Sequence, residues 1–262
     1  MNLGIEDKKV LVTGASQGIG KEIALQFSNE GCLVTIIARS KEKLEEVLVE
    51  MGGEENGHQV YAVDLMPEGA PTKVVKELVE KNINYDIVVH NVGGTLEVRD
   101  PLSPVIDWYN VWRFNAGIAI EMNHILIPLM QKRKWGRVVH ISSEAAVGLR
   151  GCPAYGASKA YLNAYSKVLG KNVAKEGVVV SAIAPGAIDA PGGHWDENND
   201  ENSKTVETMR AFLRKKEDFL RHHQSIGRLG RPEEIACFAL FMASKHVTFA
   251  NGTIIFVDGG TE

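Results

Sequence analysis

Val10-Leu11-Val12-Thr13-Gly14-Ala15-Ser16-Gln17-Gly18-Ile19-Gly20 decides the fold. It opens as a β-branched run with strand character and ends as a helix, in which Ile19, Ile23 and Phe27 recur every four residues on one face. Between the two, glycines stand at i, i+4 and i+6. Gly14 allows a sharp turn, Gly18 a close approach of backbone to a pyrophosphate, and Gly20 contact between helix and sheet. The helix start offers unpaired N–H groups and a partial positive charge to phosphates. Ser16, Gln17 and Ile19 complete this candidate dinucleotide loop.

Outward from this turn, short Val- and Ile-rich runs at 10–13, 33–38, 59–63, 87–90, 137–142, 178–184 and 253–257 read as strands. Helical patterns at 18–30, 41–50, 69–81, 103–133, 153–176 and 232–244 separate them. Strands apolar on both faces and joined through helices imply right-handed crossovers and a parallel sheet covered on both sides. The expected fold is α/β, a doubly wound Rossmann sheet of about seven strands in one domain, 1–262. Alternation lapses only over 189–224, a polar and charged insert expected to be a substrate lid.

Composition narrows the partners. The chain has 262 residues, 44% hydrophobic, with 29 basic against 33 acidic side chains, so a net charge of −4 gives no chain-wide attraction for nucleic acid or an acidic membrane. Three scattered cysteines, Cys32, Cys152 and Cys237, suit a reducing compartment, and the cytoplasm is the expected location. No stretch approaches the length of a membrane span, and the first strand begins too early for an export signal to precede it. His194 and the adjacent His222-His223 have no supporting Cys or carboxylate spacing, so no metal is expected.

In such sheets ligands bind beyond the carboxyl ends of the strands. The second strand ends Ala38-Arg39-Ser40, a cation and a hydroxyl suited to the 2′-phosphate of NADP, where a carboxylate would have favoured NAD. NADP is expected, with NAD the alternative, since Gln17 supplies no second cation at the glycine loop. Asp64-Leu65 and Asn91-Val92-Gly93-Gly94 follow the third and fourth strands, where an adenine and ribose would pass. Ser142-Ser143 closes the fifth, and Tyr155 and Lys159 lie four apart on one face of the next helix. A tyrosine pKa near 10 must fall by about three units, about 4 kcal/mol, for the phenol to work near neutrality. A neighbouring ammonium and an oxidised nicotinamide both act in that direction.

Thr13-Gly14 through Gly20, Asn91 to Gly94, Asn115, Ser143, Tyr155 with Lys159, Pro185-Gly186, 228–234 and 257–260 resemble, in this order, the short-chain dehydrogenase/reductase family, in its 3-oxoacyl-carrier-protein reductase-like branch. The resemblance implies a tetrad: Tyr155 as general acid or base, Lys159 holding the nicotinamide ribose and lowering the phenol pKa, Ser143 hydrogen-bonding the substrate oxygen, and Asn115 anchoring a relay water. Ser142 stays open as the alternative serine, its spacing to Tyr155 being thirteen against twelve. Val92 replaces an alanine of the family motif. Ala190 replaces a threonine hydroxyl, leaving backbone near Ile188 to meet the carboxamide.

The substrate is expected to be a polar or sugar-like carbonyl compound or secondary alcohol, met by Thr95, Arg99, Glu144, Arg150, His194, Trp195 and a basic helix with Arg210, Arg214, Lys215, Lys216 and Arg221. The interleaved Glu207, Glu217 and Asp218 equally suit a solvated lid. An NAD-dependent sugar or polyol dehydrogenase, a catalytically silent dinucleotide-binding subunit, and an enzyme using transient oxidation are the alternatives. Surplus apolar positions in the long helices imply a homo-oligomer, dimer or tetramer.

Overall fold

The computed structural model describes residues 1–81, 83–148, 152–191, 193, 196 and 206–261, with backbone alone at 206–213 and 223. The chain runs β1 (Lys9–Thr13), α1 (Gly18–Asn29), β2 (Leu33–Ala38), α2 (Lys41–Glu50), β3 (Gln59–Ala62), α3 (Ala70–Glu80) and β4 (Ile87–His90). It continues with α4 (Val105–Trp112), α5 (Ile118–Arg133), β5 (Gly136–Ile141), α6 (Pro153–Val173), β6 (Val178–Pro185), α7 (Val206–His223), α8 (Pro232–Ala243) and β7 (Thr253–Val257). The seven strands form one parallel sheet in the order β3-β2-β1-β4-β5-β6-β7.

Side-chain alternation along each strand builds two cores. Val10 and Val12 of β1, Ile87 and Val89 of β4, and Val139 and Ile141 of β5 face α1, α2 and α8. Leu11, Val88 and Val138 face the other way, toward α3 and α5. This two-sided burial explains the continuous apolar runs in the sequence.

All strands being parallel, their carboxyl ends share one edge, and the strand order reverses between β1 and β4. Thr13 spans that reversal: its hydroxyl accepts the backbone N–H of Asn91 at 3.1 Å and of Val92 at 3.4 Å. The expected helix over 103–133 is instead α4 and α5 joined by a π-helical turn, Arg113–Gly117. Nothing in Arg-Phe-Asn-Ala-Gly distinguishes this turn from ordinary helix by periodicity.

Candidate active site

The glycine loop is shaped as its residue types demand. Gly14 and Gly18 have φ of +66° and +60°, values that side chains with a Cβ rarely adopt. A Cβ on Gly20 would collide with the Gly14 carbonyl oxygen and the Asn91 amide nitrogen. That amide in turn donates to the Gly14 oxygen at 3.0 Å, so β4 and the loop are held together at the strand reversal. Ser16, Gln17 and Ile19 are half-buried along the loop. The first-turn N–H groups of α1 have no intrahelical acceptor and are available to phosphate.

Beside the loop, Arg39 is exposed at the end of β2. Ser40 caps α2, its hydroxyl accepting the Lys43 N–H at 3.3 Å and donating to Glu42 at 3.1 Å. Lys43 then reaches back to the Gln17 side chain at 2.6 Å. Sequence reading missed this second cation, because Lys43 comes to the glycine loop through the geometry of the β2–α2 turn and not through any position in the loop motif. Arg39 and Lys43 together fit a 2′-phosphate.

Asp64 is exposed and accepts the Met66 N–H at 2.9 Å, while Leu65 turns its side chain into the core. Arg113, also missed, is buried in the π turn and binds the carbonyls of Met66 and Pro67 at 3.2 and 3.1 Å and the Glu121 carboxylate at 2.8 Å. It fixes the loop after β3 against α5. The available signal was a lone arginine in an apolar helical stretch.

The four tetrad candidates converge where β4, β5 and α6 meet the π turn. Lys159 is 2% exposed, donates to the Ile141 carbonyl at 2.7 Å and lies 5.6 Å from the centroid of the Tyr155 ring. Burial lowers its pKa to about 7. A Cβ on Gly93 would lie 2.6 Å from Asn115 Oδ1 and 2.9 Å from Lys159 Nζ, so glycine is what lets this strand end pass between them. The Asn115 amide is fully engaged: Oδ1 accepts the Gly94 N–H at 3.0 Å, and Nδ2 donates to the Gly94 and Val111 carbonyls, each at 2.8 Å.

The two serines separate clearly. Ser142 is buried, its hydroxyl directed at the Lys159 carbonyl at 3.5 Å. Ser143 accepts the Ala145 N–H at 3.2 Å and lies close enough to Tyr155 to act on its pKa. Burial raises the phenol pKa, the Ser143 hydroxyl opposes that rise, and the charge of Glu144 reinforces it. Glu144 stands here because the short helical turn Glu144–Ala146 packs on the start of α6, where a Cβ on Gly156 would lie 2.9 Å from the Ala145 carbonyl oxygen.

Beyond β6, Gly186 donates to the Val257 carbonyl at 3.1 Å, and Ile188 pairs with Gly230 as an isolated parallel bridge. Ala190 and Pro191 then lie over Gly18, bringing the segment after β6 onto the glycine loop. Of the expected substrate contacts, Thr95 is half-buried, and Arg99 is exposed and paired with Glu97 at 2.6 Å. Leu96 and Glu97 both adopt left-handed backbone, with φ of +50° and +57°, strain of the kind that clusters at functional loops. Lys216 of α7 reaches Asp189 at 3.3 Å. Arg150, His194 and Trp195, and the side chain of Arg210, lie outside the described residues. Among the described residues no group of three or more metal-ligating side chains comes together, and no helix is long and apolar enough to cross a membrane.

The family model for short chain dehydrogenases matches residues 8–202. A 3-oxoacyl-[acyl-carrier-protein] reductase, FabG, of Thermotoga maritima is 31% identical over 259 residues, 98% of each chain. L-sorbose reductase from Gluconobacter frateurii, solved with NADPH and L-sorbose, superposes with a TM-score of 0.89 at 31% identity, covering 100% of this chain and 98% of that one. A 3-oxoacyl (acyl-carrier-protein) reductase from Agrobacterium tumefaciens with NADP bound gives 0.84 at 29% identity, over 98% and 95%. With the glycine loop and the Tyr155–Lys159 pair in place, these likenesses make the chain a member of the short-chain dehydrogenase family, in its 3-oxoacyl-carrier-protein reductase-like branch.

Proposed function

We propose that this chain is an NADP(H)-dependent reductase of a polar ketone. The convergence of Asn115, Ser143, Tyr155 and Lys159 on one side of Gly93-Gly94 carries the reading. The dinucleotide would lie on Gly14, Ser16, Gln17, Gly18, Ile19 and Gly20, with Arg39, Ser40 and Lys43 at its 2′-phosphate. Asp64, Leu65, Asn91 and Gly93 would flank the adenine and ribose, and Pro185, Gly186 and Ile188 the nicotinamide. When bound, the nicotinamide supplies the hydride.

Tyr155 gives its proton to the substrate oxygen, and Ser143 hydrogen-bonds that oxygen as negative charge builds on it. Lys159 holds the ribose and, charged, favours the phenolate left behind. Asn115 holds the Gly94 turn against Lys159, and the proton relay runs through water at the π turn. Glu144 opposes loss of the phenol proton, which suits an acid that must be protonated before each reduction.

Glu144 and Thr95 also support a hydroxyl-bearing substrate, consistent with the sorbose seen in the Gluconobacter relative. A 3-oxoacyl thioester is the second reading, favoured by the 31% identity to the Thermotoga reductase. Residues 1–262 act as one domain, with 189–224 as its substrate lid. The exposed Val105, Ile106, Tyr109, Tyr161 and Val168 along α4 and α6 support a homo-oligomer, and the cytoplasm is the proposed setting.

The test is NADPH consumption against hydroxyketones, sugars and an acetoacetyl thioester. Tyr155→Phe should cost at least about a hundredfold in kcat. An undiminished variant would leave a dinucleotide-binding subunit as the better description.

A further inference from the structure

Directly behind the tetrad lies a second polar cluster that the reaction does not use. His90 and His140 are register partners on β4 and β5, and their rings stack with centroids 5.2 Å apart. His90 Nε2 lies 2.8 Å from Asn123 Oδ1, and Asn123 Nδ2 lies 3.1 Å from His140 Nε2. His140 Nδ1 lies 2.8 Å from Ser166 Oγ. Ser166 in turn donates to the Leu162 carbonyl at 2.7 Å. All four side chains are 4% exposed or less.

The proton positions follow from that last bond. A serine hydroxyl has one hydrogen, so Ser166 Oγ can only accept from His140, which must carry its proton on Nδ1. His140 Nε2 is then an acceptor and takes the Asn123 amide N–H, leaving Asn123 Oδ1 to accept from His90 Nε2–H. His90 Nδ1 becomes a lone-pair acceptor, and it is the ring atom with no partner among the described residues. Burial holds both imidazoles neutral, His90 with a pKa of about 4 and His140 well below its ordinary value.

Each member sits on an element that carries or adjoins part of the site. His90 immediately precedes Asn91, and His140 lies three residues before Ser143. Asn123 lies on α5, eight residues beyond Asn115 of the π turn that leads into it, and Ser166 is seven beyond Lys159 on α6, a spacing that keeps that pair on one helix face. The chain of hydrogen bonds therefore ties together two strands and two helices whose ends meet at the reaction centre.

We propose that His90, Asn123, His140 and Ser166 form a positioning network that sets the mutual placement of Asn115, Ser143 and Lys159, with His140 fixed as the Nδ1–H tautomer and His90 as Nε2–H. Its effect on rate rests on the reductase reading above; its proton arrangement does not.

Two measurements test it. Long-range proton–nitrogen NMR of the 15N-labelled wild type should show two neutral imidazoles with these tautomers near pH 7. Reversed tautomers, or a protonated ring, would overturn the network. This measurement needs neither a variant nor a substrate, so it separates failure of the network from a wild type that fails to oxidise NADPH, which would overturn the reductase reading alone.

In an active enzyme, Ser166→Ala should lower kcat about tenfold, as expected for loosened alignment of reacting groups, with KM for NADPH within about twofold. Ser166→Thr, which keeps the hydroxyl, should recover most of the loss. Unchanged kcat in Ser166→Ala, or a fall matched by an equal rise in KM for NADPH, contradicts a positioning role.

Discussion

Replacing Lys159 by Met should inactivate the enzyme and change how the stability of the free protein depends on pH. The ammonium is 2% exposed and donates to the Ile141 carbonyl, and among the described residues no carboxylate lies within ion-pair distance. Its folded pKa of about 7 lies below the ordinary 10.5. Between those values the unfolded chain binds more protons than the folded one, so the wild type gains stability as pH rises through this window. Below pH 7 both states are protonated and the full desolvation penalty remains.

From pH 7 to 9 the gain is about 2 kcal/mol, at the 1.36 kcal/mol per pH unit that links protonation to free energy. Met at 159 does not titrate, so the stability difference, variant minus wild type, should shrink by about that amount over the same interval. Urea unfolding of both proteins at pH 7, 8 and 9, without dinucleotide, measures it. A difference that stays constant across the three pH values would refute the buried, depressed amine.

Arg39→Ala and Lys43→Ala should each raise KM for NADPH about tenfold and leave KM for NADH unchanged, as steady-state kinetics with both cofactors will show. Parallel changes for the two cofactors would remove the 2′-phosphate assignment. Glu144→Gln takes away a charge that raises the Tyr155 pKa. The alkaline fall of kcat/KM for reduction should therefore move to lower pH, and turnover of a hydroxyketone should suffer more than that of its deoxy analogue. Gly20→Ala places a methyl group against the Gly14 carbonyl and the Asn91 amide. A loss of about 1–3 kcal/mol is expected, visible as a lower Tm.

The strands and their polarity were legible because residues such as Val10, Leu11 and Val12 are buried on alternating faces, and two-sided burial leaves an unbroken apolar run. Tyr155 and Lys159 were legible because helical spacing alone puts them on one face. What required three dimensions was anything brought together by register or turn geometry. Lys43 meets Gln17 only once the β2–α2 turn is drawn, and His90 finds His140 only through the pairing of β4 with β5. Counting residues to Tyr155 favoured Ser142 and strand alignment favoured Ser143; only in three dimensions is the Ser142 hydroxyl seen buried against the Lys159 carbonyl, with Ser143 the serine that acts on the phenol pKa. Ser40, read as a phosphate ligand, caps α2, a use that composition does not reveal.

The π turn at Arg113–Gly117 makes the enzyme unusually sensitive to chain length at one place. Deleting a single residue there would restore a regular α-helix and cost little folding free energy. It would leave α4 and α5 nearly in phase, since five residues at the roughly 82° of a π turn rotate about as far as four at 100°, but it would narrow the turn that carries Asn115 and break the hold of Asn115 on Gly94. In alignments of related chains, a one-residue gap across 113–117 would mark proteins that keep the architecture and lose the chemistry.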